Sequence, residues 1–184
     1  MNTTANKIVT LFTPKEQNKQ QKRELQKVTP QKRVVSQKWD FNEECYEYNY
    51  QVKMITNIIG NNYNYYDEVS KTTVQEITKK IYGYKQQDII KKHFNKDTFI
   101  TLESVLNKLT ECQLICRYCK SPMLVLYDLY RQAKQWSVDR IENDKGHNTD
   151  NYHLACLECN LKRRRRTDEK FLFTKQLNLI KMNT

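Results

Sequence analysis

No stretch of this 184-residue chain approaches the ~20 consecutive apolar residues of a membrane-spanning helix, so an integral helical membrane protein is not expected. The nearest thing to a secretory apolar core, Ile8 to Phe12, is too short for one. The expected setting is therefore intracellular and reducing, the cytoplasm or nucleus of a host cell or a virion, and not secretion. Internal repeats are missing too, which leaves one compact domain with appendages as the expected organisation. Apolar residues are scarce, at 38% with a mean hydropathy of −0.88, so part of the chain should stay outside any core. Acidic residues are scarce at both ends. Residues 1–38 hold nine Lys/Arg against two Asp/Glu and 111–184 hold fourteen against nine, whereas 39–110 hold nine against ten. The formal net charge of +11 calls for a polyanionic partner, and with no lipid-seeking helix nucleic acid is favoured over an anionic membrane.

The first 38 residues, rich in Gln, Lys and Thr and poor in aromatics, cannot bury enough apolar surface to offset chain entropy, and a disordered basic arm is expected there. Residues 39–110 read as a helical supporting region. Tyr46, Tyr48 and Tyr50 alternate as on one face of a strand, suited to packing or, alternatively, to base stacking, and Tyr63, Tyr65 and Tyr66 continue the aromatic stretch. Val69, Thr73, Ile77 and Ile81 recur every fourth residue and predict a helix that Gly83 ends, followed by a short helix around 86–94. Thr101 is a helix N-cap before Leu102, Val105, Leu106 and Leu109 at i, i+3, i+4 and i+7. These helices could mimic a helix-turn-helix, but plain support is the stronger reading. Met123 to Tyr130 is apolar enough for a strand or a short helix. Trp136 to Asp139 and Tyr152 to Ala155 read as strands around a polar loop turned by Gly146. A helix over 160–166 and a last one capped at Thr167 and running to about Met182 complete the pattern.

In a reducing compartment six cysteines need a role other than disulfides. Cys116-x2-Cys119 and Cys156-x2-Cys159, separated by 36 residues, have the spacing of two tight turns that close one tetrahedral four-thiolate Zn2+ site. With no position left for water, such a zinc is structural. Cys45 and Cys112 have no paired partner and read as packing residues.

Residues 111–184 thus contain CxxC, then Val138-Asp139-Arg140-Ile141, a loop with Gly146-His147, Asp150-Asn151-Tyr152, and Cys156-Leu157-Glu158-Cys159-Asn160-Leu161-Lys162-Arg163. From Cys116 to Arg166, under a third of the chain, this resembles the HNH (His-Me finger) endonuclease family in its zinc-bearing phage and large-DNA-virus branch. The resemblance implies an α+β fold with a zinc-stapled, treble-clef-like ββα-metal core, and metal-dependent hydrolysis of DNA phosphodiester bonds. It implies one catalytic Mg2+ or Mn2+, held by Asp139 and Asn160, beside the scissile phosphate. Asn151 matches the Asn that bonds across the loop and holds the hairpin.

Arg140 stands where the family has the His that deprotonates water, and arginine stays protonated at any working pH. It could instead clamp a nonbridging phosphate oxygen. Four accounts of the base follow: His147 swings in from the loop, which ranks first; His153 substitutes from the strand; the substrate phosphate alone assists; or catalysis is lost. The last is the alternative function, a noncatalytic zinc-containing DNA-binding protein on a degenerate HNH fold. A rubredoxin-like electron carrier would use the same thiolates with iron, but Asp139, Asn151, Asn160 and the charge argue against it. The run Lys162, Arg163, Arg164, Arg165 and Arg166 is expected to contact nucleic acid, DNA with RNA left open, through two or three of its members at once.

Overall fold

The computed structural model describes residues 31–60 and 67–177, and their fold is mixed α+β. Five α-helices, α1 (Tyr48–Gly60), α2 (Glu68–Ile90), α3 (Leu102–Glu111), α4 (Leu157–Arg163) and α5 (Asp168–Gln176), accompany one two-stranded sheet, β1 (Trp136–Arg140) and β2 (Tyr152–Cys156). The strands are antiparallel, with Trp136 opposite Cys156 and Asp139 opposite His153. No helix among the described residues is long and apolar enough to cross a membrane.

Helix α2 begins where Asp67 accepts the Ser70 N–H at 2.8 Å. It does not stop at Gly83: Ile77, Ile81, Tyr84 and Asp88 continue one buried stripe through it to Ile90. A glycine inside a helix costs only about 1 kcal/mol, less than burying that stripe returns. The separate helix expected near 86–94 is the C-terminal part of α2. Tyr48 and Tyr50 are helical rather than extended, because α1 seats Met54, Ile55 and Ile58 in the core by the helical period. The expected cap of α3 is present as a capping box, with Ser104 N–H on Thr101 Oγ1 and Thr101 N–H on Ser104 Oγ.

Met123 to Tyr130 forms neither strand nor helix. Its backbone is satisfied by scattered backbone bonds, such as Leu124 N–H to Lys134 O at 2.9 Å, and by one side chain. The fully buried Gln51 accepts from Val125 and Leu126 N–H through Oε1 and donates to Leu126 O through Nε2. Residues 32–38, assigned by composition to the arm, are bonded to the body. Arg33 pairs with Glu76, its N–H reaches Asp128 O at 2.7 Å, and a 3-10 turn covers Ser36–Lys38. The rest of the arm, Tyr63 to Tyr66 and the residues after Leu177 lie outside the described residues.

The boundary drawn at 110/111 is not a break in packing. Ile77, Tyr84, Val105 and Leu109 from the helices share one core with Leu114, Trp136, Val138, Leu154 and Phe171. That shared core puts the C-terminal part of α2 beside the hairpin loop.

Candidate functional site

Cys116 and Cys119 follow α3 on a turn. Cys156 ends β2, and Cys159 sits in the first turn of α4. Their four Sγ atoms lie within 4.8 Å of one another, and Cys119 Sγ is 3.8 Å from Cys156 Sγ. Sulfurs at about 2.3 Å from a tetrahedral zinc stand about that far apart, so the cluster can hold a zinc ion as its spacing predicts. The Cys156 N–H points at Cys116 Sγ at 3.3 Å, as it would toward a thiolate. Crowding splits the acidities. A hydrogen bond from the Cys156 thiol pulls Cys116 down to about 4, and holding that proton pushes Cys156 well up. A divalent cation would remove this conflict by stabilising all four thiolates.

Asp139, at the end of β1 and 5% exposed, accepts two hydrogen bonds on Oδ2, from Tyr118 Oη at 2.6 Å and Arg163 Nε at 2.7 Å. Burial raises its pKa against the opposing pull of Arg163 and Tyr118. Oδ1 carries no hydrogen bond among the described residues. Asn160, in α4, donates through Nδ2 to Ser137 Oγ and Val138 O, both at 3.1 Å, which leaves its Oδ1 as the unused end. Asp139 and Asn160 line one cavity of about 340 Å³ together with Arg140, Asn143, His147 and Arg164. One carboxylate oxygen and one amide oxygen beside an open cavity are groups that could hold a small hard cation. Asn151 does not line that cavity. It closes the loop above it, accepting the Glu142 N–H at 2.9 Å and donating to Glu142 O and Gly146 O at 3.1 and 2.9 Å.

His147 is 4% exposed and is held by a residue that the sequence did not single out. Asp88, on α2 and fully buried, accepts His147 Nδ1 on Oδ1 at 2.7 Å and the His147 backbone N–H on Oδ2 at 2.6 Å. A carboxylate only accepts, so the ring proton is on Nδ1 and Nε2 keeps its lone pair. Tyr84 stacks on the ring at 4.6 Å. Burial lowers the His147 pKa below its usual value, although Asp88 pulls the other way. Gly146 is required by close approach, because a Cβ there would stand 2.5 Å from His93 O and 3.0 Å from Asp88 Oδ2. The signal for Asp88 was present as the continuation of the Ile77, Ile81, Tyr84 stripe at i+11.

His153 is not brought to this cavity. It lines another with Lys108, Glu111 and Arg117, and its Nε2 lies 3.5 Å from Asp168 Oδ2. Arg163, expected to touch nucleic acid, is fully buried. Besides Asp139 it donates to Arg140 O and Arg166 O, so it is unavailable to a partner. The physical reason is the helix period: Cys159 faces the cysteine cluster and position 163 lies one turn further on the same inner side. Helix α4 ends there, before residue 166. Lys162 pairs with Glu158, and Arg166 folds onto Lys162 O and over the Phe171 ring at 4.6 Å. The side chains of Arg164 and Arg165 make no hydrogen bond or ion pair among the described residues. Arg140 donates through Nη1 to Lys145 O at 3.0 Å.

Comparison with protein-family models, with curated proteins and with solved structures found no match to this chain.

Proposed function

We propose that the chain is a metal-dependent endonuclease of HNH type that hydrolyses DNA phosphodiester bonds, with the four-cysteine zinc as a structural staple. The observation that carries this reading is the convergence on one cavity of Asp139, Asn160, Arg140 and a His147 whose Nδ1 is held by the buried Asp88. In this reading Asp139 and Asn160 hold a Mg2+ or Mn2+ ion, which supplies neutralisation of the charge that builds on the phosphate. His147 is neutral at working pH, and Nε2 takes the proton of the attacking water, as in the first of the accounts drawn from the sequence. Water oxygen bonds to phosphorus as the bond to the leaving sugar oxygen breaks, and that oxygen takes a proton from solvent. Arg140, tethered by one N–H to Lys145 O, has the rest of its guanidinium for a nonbridging oxygen. The positive balance of residues 111–184 suits a polyanionic substrate.

One observation favours the noncatalytic alternative. The Arg163 guanidinium pairs with Asp139 at 2.7 Å, which weakens that carboxylate's pull on a cation. Zinc-loaded protein incubated with supercoiled plasmid decides between the two. Nicked circles are expected with Mg2+ or Mn2+ and none with EDTA, provided that zinc content is unchanged. Tight binding with no nicking under any of these conditions would replace the endonuclease by the noncatalytic DNA-binding protein.

A further inference from the structure

We propose that Arg164 is the side chain that grips the backbone phosphate of a DNA strand at the cavity, and that the strand runs through it between two cation-walled grooves. The inference rests on the reading that DNA is bound at this cavity, and deepens it by assigning the contact. The cavity of Asp139 and Asn160 is contiguous with two larger depressions. One, of about 810 Å³, is lined by Lys91, His93, Arg140 and Arg165, with the carboxylates of Glu142 and Asp144 among them, and shares Arg140, Asn143 and Arg164 with the cavity. The other, of about 640 Å³, is lined by Lys162, Phe171 and Lys175, and shares Leu161 and Arg164 with it. Arg164 is the one residue common to all three walls.

The neighbouring cations are otherwise engaged. Arg163 is buried, Lys162 pairs with Glu158, Arg166 lies on Phe171, and Arg140, tethered by one N–H to Lys145 O, is already assigned to a nonbridging oxygen of the scissile phosphate. Arg165, without a side-chain partner among the described residues, lines only the first groove, as does Lys91, and Lys175 lines only the second. That leaves the Arg164 guanidinium, with no partner among the described residues, where the three depressions meet. Its planar fork matches two oxygens of a phosphate. The backbone points the same way. Arg164 closes α4 at φ 55° and ψ −120°, a conformation that a residue with a Cβ rarely adopts and that glycine would take freely.

The test compares wild type, Arg164→Ala and Arg164→Gly for binding to a short DNA duplex without divalent cation, the duplex carrying a neutral methylphosphonate at one phosphate at a time. Wild type should lose about tenfold to a hundredfold in affinity when the gripped phosphate is neutralised. Arg164→Ala should already have lost that affinity and be indifferent to the same neutralisation. Arg164→Gly should behave likewise while melting at or above the wild-type temperature, which separates a lost contact from a lost fold. Wild-type affinity in both variants, or equal sensitivity of all three proteins at every phosphate, overturns the proposal. The readout is binding, so a wild type that fails to nick plasmid counts against the endonuclease reading and leaves this result interpretable.

Discussion

Replacing Asp88 by Asn changes one atom's chemistry and nearly none of its volume, and the structure dictates what must follow. The carboxylate accepts twice from His147, from the backbone N–H at 2.6 Å and from ring Nδ1 at 2.7 Å. An asparagine offers one acceptor and one donor. The backbone N–H cannot move its proton, so the amide oxygen must face it and the amide NH2 must face Nδ1. His147 then becomes an acceptor at Nδ1 and carries its proton on Nε2, the tautomer that cannot take a proton from water. If His147 is the base, plasmid nicking should fall by about 10²- to 10⁴-fold, the usual contribution of general-base catalysis. Weakening two charge-assisted hydrogen bonds should cost about 1–2 kcal/mol of stability, a melting point lower by about 2–8 °C for a chain of this size. The wild-type rate should fall on acidification only below pH ~6.5, because burial holds the His147 pKa under its usual value, and that limb should vanish in the variant. A variant that melts lower yet nicks at the wild-type rate with the same acid limb refutes the base assignment.

Changing Cys116 or Cys159 to Ser should release zinc and unfold the hairpin and α4, since binding free energy at a structural zinc is folding free energy; zinc stoichiometry and thermal melts check this. Gly146→Ala should destabilise by about 1–3 kcal/mol and depress nicking, because its Cβ meets His93 O and Asp88 Oδ2; a melting curve unchanged from wild type would show that the loop has room. Arg163→Met should cost about 3–5 kcal/mol by leaving Asp139 buried without its cation, whereas a merely flatter salt dependence of DNA binding would place Arg163 on the surface after all. His147 and His153 are both held below their usual pKa, chiefly by burial. The unfolded chain therefore takes up protons first on acidification. Their contribution to stability is complete above pH ~6.5 and is lost as the pH falls through the lowered native values; melts between about pH 7 and about pH 5 should show it, with a shallower slope in His147→Gln.

Local chemistry was readable from the chain because it depends on residues a few positions apart. Each CxxC spacing sets two thiolates side by side on one turn, and Thr101 caps its helix with Ser104, three residues on. The strands around Asp139 and Tyr152 announced themselves by composition, and Asn151 sits within reach of the loop that it bonds. Where local rules competed with the core, the core won. Gly83 does not break α2, since Ile77, Ile81 and Tyr84 are held by packing on both sides of it, and the Tyr46 to Tyr50 alternation yields to the helical seating of Met54 and Ile58.

Partnership across long separations was invisible. Asp88 and His147 are 59 residues apart and meet only because α2 shares a core with the zinc half. Five consecutive cations look alike in sequence, yet the fold gives each a different fate. Arg163 is drawn inward beneath Cys159 to neutralise Asp139, Arg166 is laid on Phe171, and Arg164 is turned outward by a strained backbone. The sequence by itself determined the two CxxC pairs, the hairpin and the composition of the basic run, because spacing and charge are local properties. Tertiary structure alone decided which histidine a carboxylate holds by two hydrogen bonds and which arginines are left without a partner, because burial and contact depend on what the rest of the chain packs against each side chain.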